Sequence, residues 1–189
     1  MIIEQIKQYI QGSKWVSIAT ELRPTKDRTG TASIQHFYLS RSIQYLPNDK
    51  FESTIINSAD AEGKIPLIKI VIKGQIKWLG NHPIAKGAQN VCYISEVFEI
   101  TPLHQSFVNA VNQSVSSSLN KWEVNVMQDI HRKAFPAFDF TEGQVYVDYD
   151  LIYIFNDMLF MGSKHVDGRP TDSPENRPTN LQVPLIRLK

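Results

Sequence analysis

The chain has 189 residues, 42% of them hydrophobic and 10% aromatic, enough to build the core of one ordinary domain and to exclude global disorder. Its 20 Lys and Arg stand against 19 Asp and Glu, a formal charge of +1, which argues against a dedicated nucleic-acid binder. A single cysteine, Cys92, excludes an intrachain disulfide framework, and no apolar run approaches the ~18 residues of a membrane span. Met1 to Gln5 lack the basic-then-apolar layout of a signal peptide, so the expectation is one domain over 1–189, cytoplasmic and without a transmembrane segment.

Ile2, Ile3, Ile6, Tyr9 and Ile10 fall at helical spacing and predict a short N-terminal helix that ends at Gly12. Most of the remaining chain has a period of two. A strand is expected over Trp15–Leu22. A hairpin is expected at Pro47-Asn48-Asp49-Lys50, joining Ile34–Leu46 to Phe51–Ile56. From Ile68 to Trp78, isoleucines alternate with lysines, as in a long antiparallel strand with one greasy face, and Gly74 suits a bend or bulge. Val91–Ile100 predicts a further strand. Thr101 as N-cap and Pro102 at the first helical position predict one internal helix, carried by Leu103, Phe107, Val111 and Val115. Trp122–Ile130 reads as a short strand. In the second long strand, Val145, Val147, Tyr149, Leu151, Tyr153 and Phe155 are expected to share the inward face, with Asp148 and Asp150 outside. Asn156-Asp157 is a two-residue turn to Met158–Met161. Residues 162–180 are rich in Gly, Pro, Asp and Asn and read as an ordered loop before a last strand at Leu181–Leu188. The sum is a mainly β fold, an antiparallel closed or half-open barrel, with a β-sandwich as the competing arrangement.

Chemistry-bearing motifs are scarce. His36, His82, His104, His131 and His165 show no metal-ligand spacing, and Gly-x-Ser-x-Gly and phosphate-cradling loops are absent, so neither metal nor cofactor is expected. Asp148 and Asp150 could serve acid–base work or calcium, against the simpler reading of a solvated outer face. Arg41 alternates in step with Phe37, Leu39, Ile43 and Tyr45, and an arginine on such an apolar stripe must be paired or bind an anion. The alternatives are a solvated Arg41, or a pair with Glu52 on the facing strand. The candidate ligand-binding set is Arg41, Phe37, Ile70, Ile72, Trp78, Trp122, Tyr149 and Tyr153, aliphatic and aromatic walls with one polar handle.

Three stretches taken together resemble a known family. They are Trp15-Val16-Ser17 with Glu21-Leu22-Arg23-Pro24; Ile100-Thr101-Pro102 with Trp122-Glu123-Val124 and Gln128-Asp129-Ile130; and Leu159-Phe160-Met161-Gly162, Asp167-Gly168-Arg169-Pro170, Ser173-Pro174, Arg177-Pro178 and Gln182-Val183-Pro184-Leu185. In this order, from Trp15 to Leu188, they resemble the APCDD (adenomatosis polyposis coli down-regulated) domain. The resemblance implies a lipocalin-like barrel whose apolar cavity accepts an acyl chain. In animals such domains occur in tandem, outside the cell, as parts of membrane-anchored inhibitors of Wnt signalling, a role not expected here, since Thr20 stands where the family pattern has a cysteine. Lipocalins offer a looser similarity: Gly12 and Trp15 at the first strand, and Arg187 near the last, where a cation packs over the indole, so Trp15 is expected to be buried with Arg187 or Arg23 close to its ring. The expected function is non-catalytic binding of a hydrophobic small molecule, fatty-acyl or lipid-like. The rivals are a cyclase or isomerase drawing on Asp129, His131, Glu52 or Glu96, and a protein-interaction module.

Overall fold

The computed structural model describes residues 2–25 and 35–188, so Ile34 of the predicted hairpin lies outside the described residues. Helix α1 (Ile3–Ile10) turns Ile6 and Ile10 fully into the core, and Gly12 (φ +73°) lets the chain leave it for β1 (Lys14–Ser17). The expected strand Trp15–Leu22 is in fact two, β1 and β2 (Glu21–Thr25). Both pair with β3 (Gln35–Leu46), but Val16 to Glu21 spans five steps against three from Ser42 to Leu39, so Ile18–Thr20 bulge out. Asn48 and Asp49, both at positive φ (61° and 56°), turn β3 into β4 (Lys50–Ser58), as the sequence predicts.

Strands β5 (Pro66–Asn81) and β6 (Gln89–Pro102) form the longest pairing. Ile68, Ile70, Ile72 and Ile76 are buried along one face, and Lys69, Lys73 and Lys77 lie exposed on the other. The register slips at Gly74, where a Cβ would overlap the Ile94 carbonyl oxygen. Pro102 remains in β6, so the internal helix α2 (Gln105–Val111) starts later than expected. Its cap is His104, whose Nδ1 accepts from the Ser106 N–H at 3.2 Å, rather than Thr101. The predicted strand Trp122–Ile130 reduces to β7 (Gln128–Asp129) beside β6. The surrounding segment 103–146 instead supplies rings: Phe140 and Tyr146 meet Phe98 of β6 edge-on at 5.4 and 5.3 Å, and Trp122 packs on Phe135 at 5.3 Å.

β8 (Val147–Phe155) and β9 (Met158–Met161) are joined through Asn156 and Asp157, again both at positive φ, and β10 (Leu185–Arg187) is shorter than the predicted Leu181–Leu188. The hydrogen-bonded order β1-β10-β9-β8-β6-β5-β4-β3, with β3 returning to β1, is a closed eight-stranded antiparallel barrel, consistent with a lipocalin-like one. Among the described residues no helix is long and apolar enough to cross a membrane.

Trp15 is fully buried, and the Arg187 guanidinium lies 5.0 Å from its ring and 4.4 Å from that of Tyr9, the cation-over-indole arrangement the sequence predicts. The facing of β8 is the reverse of the expectation. Ile152 and Ile154 join the core, so Asp148 and Asp150 share their inward face, while Tyr149, Leu151 and Tyr153 point outward. The reason is that β8 is covered on both sides. Segment 162–180 runs over its outer face, sealing Leu151 completely and setting Arg177 5.3 Å from the Tyr149 ring. A strand buried twice loses the alternation that marks inside from outside.

Candidate functional site

The barrel wall is incomplete along one line. β9 reaches only Ile152–Phe155 of β8, leaving Val147–Leu151 beyond it, and β2 projects past β1 with β3 as its strand partner. Segment 162–180 borders this seam: the Thr171 carbonyl accepts the Tyr149 N–H at 2.7 Å. Charged side chains gather on the interior of both lips.

On one lip, β2 and β3 place Glu21, Arg23 and Arg41 together, with side chains only 6, 9 and 11% exposed. Residues two apart on a strand share a face, which puts Glu21 and Arg23 side by side across from Leu39 and Phe37. The Arg41 Nε donates to Glu21 Oε1 at 2.8 Å, and Arg23 pairs with Glu21 Oε2. Ser17 Oγ donates to Glu21 Oε1 at 2.8 Å and accepts the Arg41 backbone N–H at 3.0 Å. The Arg41 Nη1 reaches Met161 Sδ at 3.0 Å, a weak acceptor, and Nη2 is buried with no hydrogen-bond partner. On the next strand Asn57 Oδ1, on the interior face with Ile55, is likewise buried and unpartnered. Burial, and then the Arg41 charge, lower the Arg23 guanidinium from its ordinary value, though an arginine stays charged.

On the other lip, Asp150 is 1% exposed, and its Oδ1 accepts N–H groups of Leu151 and Gly162, both at 2.7 Å. Burial, and then the neighbouring Asp148, raise its pKa; Lys164 and the two N–H donors oppose that shift. Asp148 Oδ1 is held by Lys164 Nζ at 2.8 Å and by the Thr171 hydroxyl. The lips meet through adjacent residues: Met161 touches Arg41, and the N–H of Gly162 binds Asp150.

Of the predicted ligand set, Arg41, Phe37, Ile70 and Ile72 do lie on the interior wall. Arg41 pairs with Glu21 rather than Glu52, which is half-buried and bridged to Lys73 at 3.3 Å. The structure does not bring the aromatics to them. Trp78 stands half-buried at the α1 end, donating its indole N–H to Asp49 Oδ1 at 3.0 Å beneath Lys7, beside a concavity of about 230 Å³. Trp122 is buried at the opposite end of the β5–β6 pair, near α2, so it and Trp78 bound no common volume. Tyr149 and Tyr153 are outside the barrel, the latter 6.0 Å from Phe160. The enzyme candidates are also dispersed: Glu96 pairs with Lys50 at 2.7 Å, and Asp129 Oδ1 accepts the His131 N–H at 2.8 Å. Among the described residues no three His, Cys, Asp or Glu side chains converge as metal ligands.

The sequence reading missed Glu21, Arg23 and the inward carboxyls of β8. One signal was available: opposite charges at Glu21 and Arg23, two apart on a strand that must pair with the Arg41 stripe. No family model matches the chain.

Proposed function

We propose that the barrel binds a hydrophobic small molecule with an acidic end, of the fatty-acyl kind, and does not transform it. The observation that carries this reading is the Arg41 Nη2 group, a cationic donor buried without a partner beside aliphatic wall residues. A buried donor left unsatisfied costs about 1–3 kcal/mol, so such groups call for an occupant. A carboxylate at Arg41 would satisfy it with a charge-assisted hydrogen bond, and the chain would lie along Ile43, Ile55, Ile70 and Ile72. Each buried methylene contributes roughly 0.8 kcal/mol. The resemblance to the APCDD domain supports the same reading.

The test is displacement of an environment-sensitive fatty-acid probe by a long-chain acid and by its methyl ester. Arg41→Met leaves the Arg23–Glu21 pair in place, so Glu21 does not become an unpaired buried charge. The acid is expected to lose about 10- to 100-fold in affinity in this variant, the worth of a hydrogen bond to a charged group, and the ester to change little. Equal losses for acid and ester remove Arg41 from the site. A probe that binds nowhere moves the function to the outer surface, as in a protein-interaction module.

A further inference from the structure

We propose that the seam takes up a carboxylate together with one proton, and that Asp150 holds the proton. The inference rests on the acyl-binding reading and concerns the regulation of that same site. Among the described residues three cations, Arg23, Arg41 and Lys164, and three carboxyl groups, Glu21, Asp148 and Asp150, gather along the two lips of the seam. The other groups packed around Asp150 do not change that balance. Tyr45 and Tyr93 share a 2.8 Å hydroxyl contact and, like Tyr146, are driven far toward the neutral phenol by burial. Arg177 bonds the backbone oxygens of Val91 and Asp150 from outside the wall, against the Tyr149 ring, and so lies beyond the interior.

A monoanion seated at Arg41 therefore brings one negative charge too many into a poorly solvated interior. Of the three carboxyls, Asp150 is the one suited to give its charge up. Glu21 is held by two guanidinium groups, and Asp148 by Lys164 and Thr171. Among the described residues Asp150 has two backbone N–H donors, both on one oxygen, and sits beside the Asp148 charge. The path between the two lips is short: Arg41 to Met161, and from the next residue, Gly162, to Asp150. Proton uptake comes from solvent and changes no bond but the O–H formed on Asp150.

Linkage fixes the sign. A proton bound with the ligand makes affinity fall as pH rises through the Asp150 titration, toward a limit of about tenfold per pH unit. Acid and methyl ester are titrated across the neutral and alkaline range with the wild type and with Asp150→Asn, whose amide oxygen still accepts from Leu151 and Gly162. The expected result is a pH-dependent affinity for the acid in the wild type, a flat one for the ester, and a flat one for the acid in the variant. Calorimetry in buffers of different ionisation enthalpy, on the wild type alone, counts the proton and decides the matter if the variant does not fold. A flat wild-type profile with binding intact, or an unchanged slope in Asp150→Asn, overturns proton linkage and leaves the acyl-binding reading standing. Failure of both acid and ester to bind at every pH overturns both.

Discussion

Gly74→Ala is expected to destabilise the fold by about 3 kcal/mol or more, the upper range for overpacking a site that cannot yield. The added methyl would overlap the Ile94 carbonyl oxygen and stand 2.9 Å from its carbon and 3.1 Å from the Glu96 nitrogen. All three atoms are backbone, so no side chain can rotate away. Relief would require parting β5 from β6 at the bulge, and that pairing runs from Ile68↔Pro102 to Asn81↔Gln89. The shift in urea midpoint, with the slope unchanged, measures the effect. A shift worth less than about 1 kcal/mol would show that the bulge has slack and that the wall is not held as described.

Trp15→Ala is expected to lose about 3–5 kcal/mol, the range for emptying a large aromatic core position. Trp15 is wholly buried and belongs to β1, the strand that closes the barrel, pairing with Ile43 on one side and Arg187 on the other. Its indole also receives the Arg187 guanidinium, an interaction worth roughly 0.5–2 kcal/mol. The indole Nε1 is buried without an acceptor, so that atom contributes nothing favourable. Trp15→Phe is consequently expected to cost much less than Trp15→Ala, under about 2 kcal/mol, because it removes the orphaned donor along with part of the ring. Thermal or urea unfolding of the two variants side by side checks the ordering. Equal losses would mean that the N–H is used.

The barrel was legible because its longest strands advertise their faces. Ile68, Ile70, Ile72 and Ile76 alternate with lysines that reach solvent, and Asn48-Asp49 and Asn156-Asp157 supply the positive φ angles of two tight turns. Arg41 was legible for the same reason, as the charged member of an apolar stripe. The site around it was not. Its partners come from β2, whose brief alternation is interrupted at Ile18–Thr20, and from β8, where cover on both faces makes Tyr149, Leu151 and Tyr153 as apolar as a core row. Asp148 and Asp150 therefore read as solvent-facing, although the tertiary fold turns them inward and supplies Lys164, Thr171 and Gly162 from the following segment. Such pairing is long-range in sequence and leaves no periodic trace. The internal helix was misplaced for a related reason: Pro102 can begin a helix, but pairing with Ile68 keeps it in β6.

In the proposed mode of binding, the ligand carboxylate sits ionised inside the barrel against Arg41. Carbon-13 NMR of a long-chain acid labelled at its carboxyl carbon, bound to the intact protein, reports that state directly. The expected bound resonance remains that of the carboxylate well below the ordinary carboxyl range of about pH 4, and this behaviour is lost in Arg41→Met. A bound acid that titrates as it does in water, and equally so in the wild type and the variant, would contradict it.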